Sequence, residues 1–312
     1  MDGPRTRRRS TPFFLGLAAI LAALPLGWFL FLHRPPEPPP PPVVAPPPPP
    51  PEKGPAELKL KEIEGTVEVR RGGEWREAHV GEALRASDAV RTRSGAYAVL
   101  IGGESVEVRM EPGTEVSVEA LTDSISRILL ANGMTTARVR LGTGHTLEVL
   151  AAGSDAVART EGGTFAISND GRGTVAVGTR AGEVSFTGQG KVVIVRPGQQ
   201  SIVRPGRGPS EPTPIPSSLL LKVDWPARPT VRERQLVVSG RTEPGSRVEV
   251  GGQPLTPDAE GRFSHTVPLK EGRNPVRVRS LSVGGARGEE SRELILDTTP
   301  PRGVAVDPGL WE

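Results

Sequence analysis

The sequence predicts an all-β protein carried behind a single apolar helix. Residues 58–203 and 218–299 place apolar side chains at every second position in short runs, the period of a strand with one wet and one buried face. Clusters of Gly, Pro, Asn and Asp interrupt those runs at short intervals, as turns do. Residues 12–32, in contrast, carry no charge over 21 positions.

That uncharged stretch, PFFLGLAAILAALPLGWFLFL, spans about 30 Å as a helix, the thickness of a hydrocarbon core. Gly16, Pro25 and Gly27 are tolerated in spanning helices, and Trp28 lies near the outer end, where aromatic belts form. A cleaved signal peptide would have a shorter apolar region and a small-residue cleavage site. Here HRPPEPPPPP follows, with no A-x-A pattern and no Cys for a lipid anchor. Arg5, Arg7, Arg8 and Arg9 precede the stretch and only Arg34 closely follows it. Positive residues stay inside. Residues 1–11 are therefore expected to be a short basic cytoplasmic tail on a bacterial inner membrane, with the bulk of the chain in the periplasm.

Residues 33–57 read as a Pro-rich linker. Positions 35–51 hold 13 prolines in 17 residues, which favours extended polyproline II, about 50 Å long at about 3.1 Å per residue. The expected role is a stiff stalk; a PxxP ligand is the alternative. The chain has 312 residues, no Cys and a net charge of +3. Without Cys there is neither a disulfide framework nor a thiol nucleophile. Residues 1–10 supply the whole +3, so the remainder balances to zero and offers no field for nucleic acid.

In residues 58–203 the alternating pairs are Val67 and Val69, Val106 and Val108, Val116 and Val118, then Ala137, Val139 and Leu141. Leu147 and Val149, Phe165 and Ile167, Val175 and Val177, and Val184 and Phe186 follow. Turns are expected at Gly72-Gly73, Gly102-Gly103, Pro112-Gly113, Asn132-Gly133, Asp170-Gly171 and Gly188-Gln189-Gly190. Residues 121–130, LTDSISRILL, fit helix and strand alike. In residues 161–186, Gly162, Gly163, Gly171, Gly173, Gly178 and Gly182 are spread among strand patterns. A phosphate loop bunches its glycines before a helix, with a Lys nearby. These are read as turns.

The order of these pieces resembles the FecR domain family from about Ile63 to Val203. GTVEVRRGGEWREAHVGEALRASDAVRTRSGAYAVLIGG is similar to the family's opening, with Gly81, Thr92 and Gly95 in place. VEVRMEPGTEVSV resembles its next step and ILLANGMTTARVR its L-x-x-G turn. The closing run holds Gly163, Thr164 and Phe165, a T-x-V-x-V strand and a final P-G-Q. The resemblance implies a β-roll or distorted sandwich tied to periplasmic signalling. In the family's iron-transport regulators a cytoplasmic anti-sigma segment precedes the span. Here that segment would be about 11 residues, too short to fold, so the anti-sigma role is not carried over.

Residues 204–217 form a second linker rich in Pro, Gly and Ser. Residues 218–299 hold six candidate strands: LLLKVDWP, QLVVSGRT, SRVEVGG, GRFSHTVPL, PVRVRSLSV and RELILDTTPP. This number of short strands suggests an immunoglobulin-like sandwich. GRTEPGSRVEVGGQPLTPDAEGRFSHTVPLKEGRNPVRVRS resembles the small bacterial Ig-like domains of cell-surface proteins, which implies spacing and binding of extracellular partners or glycans. Residues 300–312 are read as a tail.

Candidate chemistry is sparse. His33, His79, His145 and His265 form no HxxxH or HExxH pattern. Ser124 and the pair Ser217-Ser218 lack a nucleophile elbow. Glu68, Glu107 and Glu119 read as a solvated sheet face. Trp75, beside the Gly72-Gly73 turn, is the one residue singled out as a possible contact, against a packing role. No catalytic, cofactor-binding or metal-ligating residue is assigned, and no enzyme activity or cofactor is expected. The expectation is a membrane-tethered periplasmic sensor or scaffold, two independent β bodies on a proline rod, working through an envelope protein partner and not nucleic acid. The alternative is an envelope structural protein that binds peptidoglycan or another glycan through the Ig-like domain.

Overall fold

The computed structural model describes residues 11–32 and 57–299. Residues 1–10, 33–56 and 300–312 lie outside the described residues, and with them the expected basic tail, nearly all of the expected Pro-rich linker, His33 and the expected C-terminal tail. The fold class is all-β apart from one helix, Thr11–Leu32. Pro25 lies inside that helix. Among the described residues, no helix is long and apolar enough to cross a membrane.

The first β body has two sheets. One runs, in spatial order, Ala83–Leu84, Leu58–Glu64, Tyr97–Gly102, Val106–Met110, the end of Ile125–Val139, Gly163–Asn169, Val175–Gly182, Gln199–Val203 and Thr213–Pro214. The other runs Glu74–Glu77, Val67–Arg71, Ala89–Thr92, Glu115–Leu121, the start of Ile125–Val139, Thr146–Ala151, Val157–Thr160, Val184–Gly188 and Lys191–Val195. Each apolar pair named from the sequence in this body contributes to the shared core except Leu141, which lies past the end of its strand and is 78% exposed.

The strand Ile125–Val139 belongs to both sheets, and this differs from the expected turn at Asn132-Gly133. Residues 121–130 hold no helix: Leu121 ends the strand Glu115–Leu121, a turn follows, and the first half of Ile125–Val139 takes the rest, with Ser126, Ile128 and Leu130 facing inward. At Gly133 the backbone takes φ +100°, and a Cβ there would strike Thr114. A bend in mid-strand leaves carbonyls without ladder partners, and buried ones need donors. Asn169, fully buried, donates through Nδ2 to the carbonyls of Leu130 (2.8 Å), Ala131 (3.1 Å) and Ala152 (3.0 Å). Thr114 Oγ1 pairs with both the N–H and the carbonyl of Met134 at 3.1 Å.

The second β body is a two-sheet sandwich. Leu221–Asp224, Gln235–Thr242 and Arg262–Pro268 form one sheet. Thr230–Val231, Arg287–Leu296, Gly272–Leu281, Arg247–Val250 and Gln253–Leu255 form the other. Val223, Val238 and Phe263 meet Val248, Val278 and Leu294 between them. All six strand patterns expected from the sequence are present.

The two bodies share a buried joint and do not stand independently. In Gly163–Asn169 and Val175–Gly182 the inward residues are Phe165, Ile167, Val175 and Val177. The alternate positions carry Ala166, Ser168, Ala176 and Gly178, small where a wet face would be polar and long. Val283 of the second body packs there with Met134, Ala166 and Ala176. Gly178, expected as a turn, lies within a strand, where an added Cβ would come 2.7 Å from the Val283 carbonyl oxygen. The linker is also held: Thr213–Pro214 pairs with Gln199 and Gln200, and Ser201 Oγ donates to the Ser210 carbonyl at 2.8 Å.

Candidate interaction site

Trp75 sits in the edge strand Glu74–Glu77, opposite Arg70. The Gly72-Gly73 turn, with φ +66° and +105°, returns the chain so that the two residues face each other. The Arg91 guanidinium lies 4.0 Å from the indole centroid and that of Arg70 lies 4.9 Å away. Glu68 accepts from Arg91 Nε at 2.7 Å and Arg93 Nε at 2.6 Å. Those two hydrogen bonds hold its carboxyl down to about 2. The face reads Arg, Trp, Arg, Glu, Arg: a half-buried indole framed by Arg70 and Arg91, with the one carboxylate of Glu68 shared between Arg91 and Arg93. Part of the ring is taken up by the arginines, so Trp75 is both packed and reachable.

The expected solvated carboxylates divide. Glu107 pairs with Lys61 at 3.2 Å, Glu119 is exposed, and Glu68 is tied as above. Sequence reasoning missed Glu148, which is buried between Arg127 (2.7 Å) and Arg159 (3.4 Å).

The histidines do not converge. His79 is exposed, His265 is half-buried on Arg262–Pro268, and His145 is buried. Among the described residues, no group of three His, Asp or Glu could hold a metal ion. His145 makes a pairing the sequence did not show. Its Nε2 lies 2.9 Å from Ser126 Oγ and its Nδ1 lies 3.1 Å from the Asp123 carbonyl. The carbonyl can only accept, so Nδ1 carries a proton; in the neutral ring Ser126 then donates to Nε2. A serine and a base in that relation can form a nucleophile pair. However, the neighbouring N–H groups are spent locally. Ser124 and Ile125 donate to Thr122 Oγ1, and Thr146 donates to the Ser124 carbonyl. With Ser126 only 3% exposed, the pair pins the 122–125 turn to the chain before Thr146.

A cleft of about 580 Å³ lies at the joint, lined by Glu111, Pro112, Arg247, Arg279, Arg287 and Glu289. Arg247 is 8% exposed. Its Nη2 donates to the carbonyls of Pro112 (2.9 Å) and Gly113 (2.6 Å), and its Nη1 to Thr256 Oγ1 (2.6 Å). Burial brings its pKa down to about 10. Nearby, Ser168 Oγ donates to the Gly245 carbonyl at 2.5 Å and Ser94 Oγ to Gln253 Oε1 at 2.9 Å. Arg247 was not legible as a joint residue, because its acceptors are main-chain groups 134 and 135 positions away.

No protein-family profile matches the chain, and no curated protein matches it. Among solved structures it is similar to two crystal structures of a candidate anti-sigma factor from Parabacteroides distasonis ATCC 8503. The identities are 20% and 19%, and the TM-score is 0.36 in both cases. The match covers 40% of this chain and 59% of that protein. A polysaccharide lyase matches at 13% identity and TM-score 0.20, over 78% of this chain and 40% of the lyase.

Proposed function

We propose that the protein is a membrane-tethered periplasmic scaffold or sensor that works by protein–protein contact, without chemistry of its own. In this reading the uncharged segment of residues 12–32 is its tether and the Pro-rich segment its stalk. The motif order that resembles FecR domains supports this reading, and so does the charge asymmetry around residues 12–32. The observation that carries it is the state of the surface. Two β bodies lock into one unit through Arg247, and the sheet bearing Trp75 ends in open strand edges, Glu74–Glu77 and Lys191–Val195. Open edges present unpaired main-chain groups, the usual seat of strand-addition contacts. In the second body Trp225 is half-buried against the core and gives its indole N–H to Glu290 at 2.9 Å, so part of the ring is already packed.

The test is site-specific photo-crosslinking in intact cells, with the photoreactive residue at position 75, 194 or 237. The expected result is an adduct with one defined envelope protein from an edge position, and none from Val237 on the second body's exposed face. Equal labelling at all three positions, or none, overturns the reading. Cosedimentation of the chain with purified cell wall would replace it with the glycan reading.

A further inference from the structure

Natural sheets guard their edges with charge, proline or brevity. The edges of the described residues follow this rule with one exception. Glu74–Glu77 carries three charges, Ala83–Leu84 and Thr230–Val231 are two residues long, and Thr213–Pro214 and Gln253–Leu255 contain proline. Leu221–Asp224 carries Lys222 and Asp224, and Arg262–Pro268 begins in Arg and ends in Pro. The exception is Lys191–Val195, KVVIV, which pairs only with Val184–Gly188. Val192 is 56% exposed and Ile194 38%.

The hairpin fixes which groups face outward. Gly188 pairs with Lys191 across a two-residue loop, Gln189-Gly190, with φ +49° and +70°. Such a loop closes on a hydrogen-bonded pair. Hydrogen-bonded pairs then alternate, so Lys191, Val193 and Val195 bond to the neighbouring strand. The N–H and C=O groups of Val192 and Ile194 point to the open edge. Gly208 and Glu211 lie against Lys191, so the open length begins at Val192.

We infer that this edge pairs with the same edge of a second copy of the chain, antiparallel about a two-fold axis at Val193. The inference rests on the protein-contact reading and names one partner for it. The strand is self-complementary in this register. Val192 faces Ile194 of the second copy and the reverse, so the outward main-chain groups form four hydrogen bonds. The same pairing gathers two valines and two isoleucines on the outer face. No like charges oppose each other: Lys191 faces Val195, and Arg196, held by Glu183 at 3.2 Å, faces Gly190. A glycan or an acidic peptide finds no charge in the open stretch. Four open residues a side bury less than a standard interface, so the dimer is weak in solution and gains from tethering in one membrane.

The chain has no Cys, so one introduced thiol reads the geometry directly. In the two-fold pairing the residues at position 193 form a non-hydrogen-bonded pair with Cα atoms about 4.5 Å apart, within disulfide reach. The full chain in detergent micelles is oxidised mildly as V193C, and as R76C on the charged edge. V193C is expected to give about tenfold or more disulfide dimer over R76C, as a held geometry does over collision. Adding V192K and I194K to V193C is expected to remove that gain. Should V193C disturb the fold, mixed V192C and I194C chains are expected to cross-link with each other in preference to themselves. Equal dimer from V193C and R76C, or dimer that survives the two lysines, overturns the proposal. An envelope protein captured equally by wild type and by V192K/I194K, with no disulfide gain, would remove self-pairing alone and leave the contact reading standing.

Discussion

Arg247→Met tests the joint with little change in side-chain volume. Replacing buried ion pairs by apolar residues is often neutral, because both charges leave together. Here the acceptors are the carbonyls of Pro112 and Gly113, which remain when the guanidinium goes. Each orphaned part-buried carbonyl costs about 1–2 kcal/mol, the lower end where water from the cleft reaches it, and relief of the buried charge returns part of it. The net expectation is a loss of about 1–3 kcal/mol. Urea unfolding followed by tryptophan fluorescence measures it in full chains that keep a single tryptophan, Trp75 to report the first body or Trp225 the second, with the other three of the four replaced by Phe. The wild type is expected to unfold both bodies together, and R247M is expected to unfold earlier with the two reports separating. An R247M chain as stable as wild type, or more so, refutes the argument.

Three other outcomes follow from the same geometry. N169A removes the donor to three carbonyls at the strand crossing and is expected to cost about 2–4 kcal/mol in urea unfolding, with N169D no better. G178V drives a side chain into the Val283 carbonyl and is expected to lower the unfolding temperature and expose the Ala166 face, read by hydrogen exchange. Glu68 has a folded pKa of about 2 against an ordinary 4.5, so its contribution is present above pH 4.5 and lost as pH falls toward 2. After solvent screening that contribution is about 1 kcal/mol, and E68Q is expected to flatten the acid limb of stability by that amount.

The strands were legible because Val, Ile and Phe recur at period two between glycine turns, and their inward positions form the core. What the alternation hid lies on the other face. Ala166, Ser168, Ala176 and Gly178 are small residues at outward positions, the signature of a covered face, yet nothing in the sequence says what covers it. Asn132-Gly133 has turn chemistry but runs through as a strand, because Asn169 and Thr114 supply the donors that a bend requires. The edge Lys191–Val195 could have been found as a β-branched run after the Gly188-Gln189-Gly190 turn. Its being an edge depends on sheet order, which a single sequence does not contain. The Ser126–His145 pair depends on the parallel pairing of Ile125–Val139 with Thr146–Ala151, equally beyond the reach of spacing.

Membranes from cells expressing the full chain, washed with carbonate, are expected to retain it. In spheroplasts protease is expected to reach the β bodies while residues 1–11 stay protected. A chain recovered in the soluble fraction, or β bodies shielded from external protease until the membrane is lysed, would contradict the account.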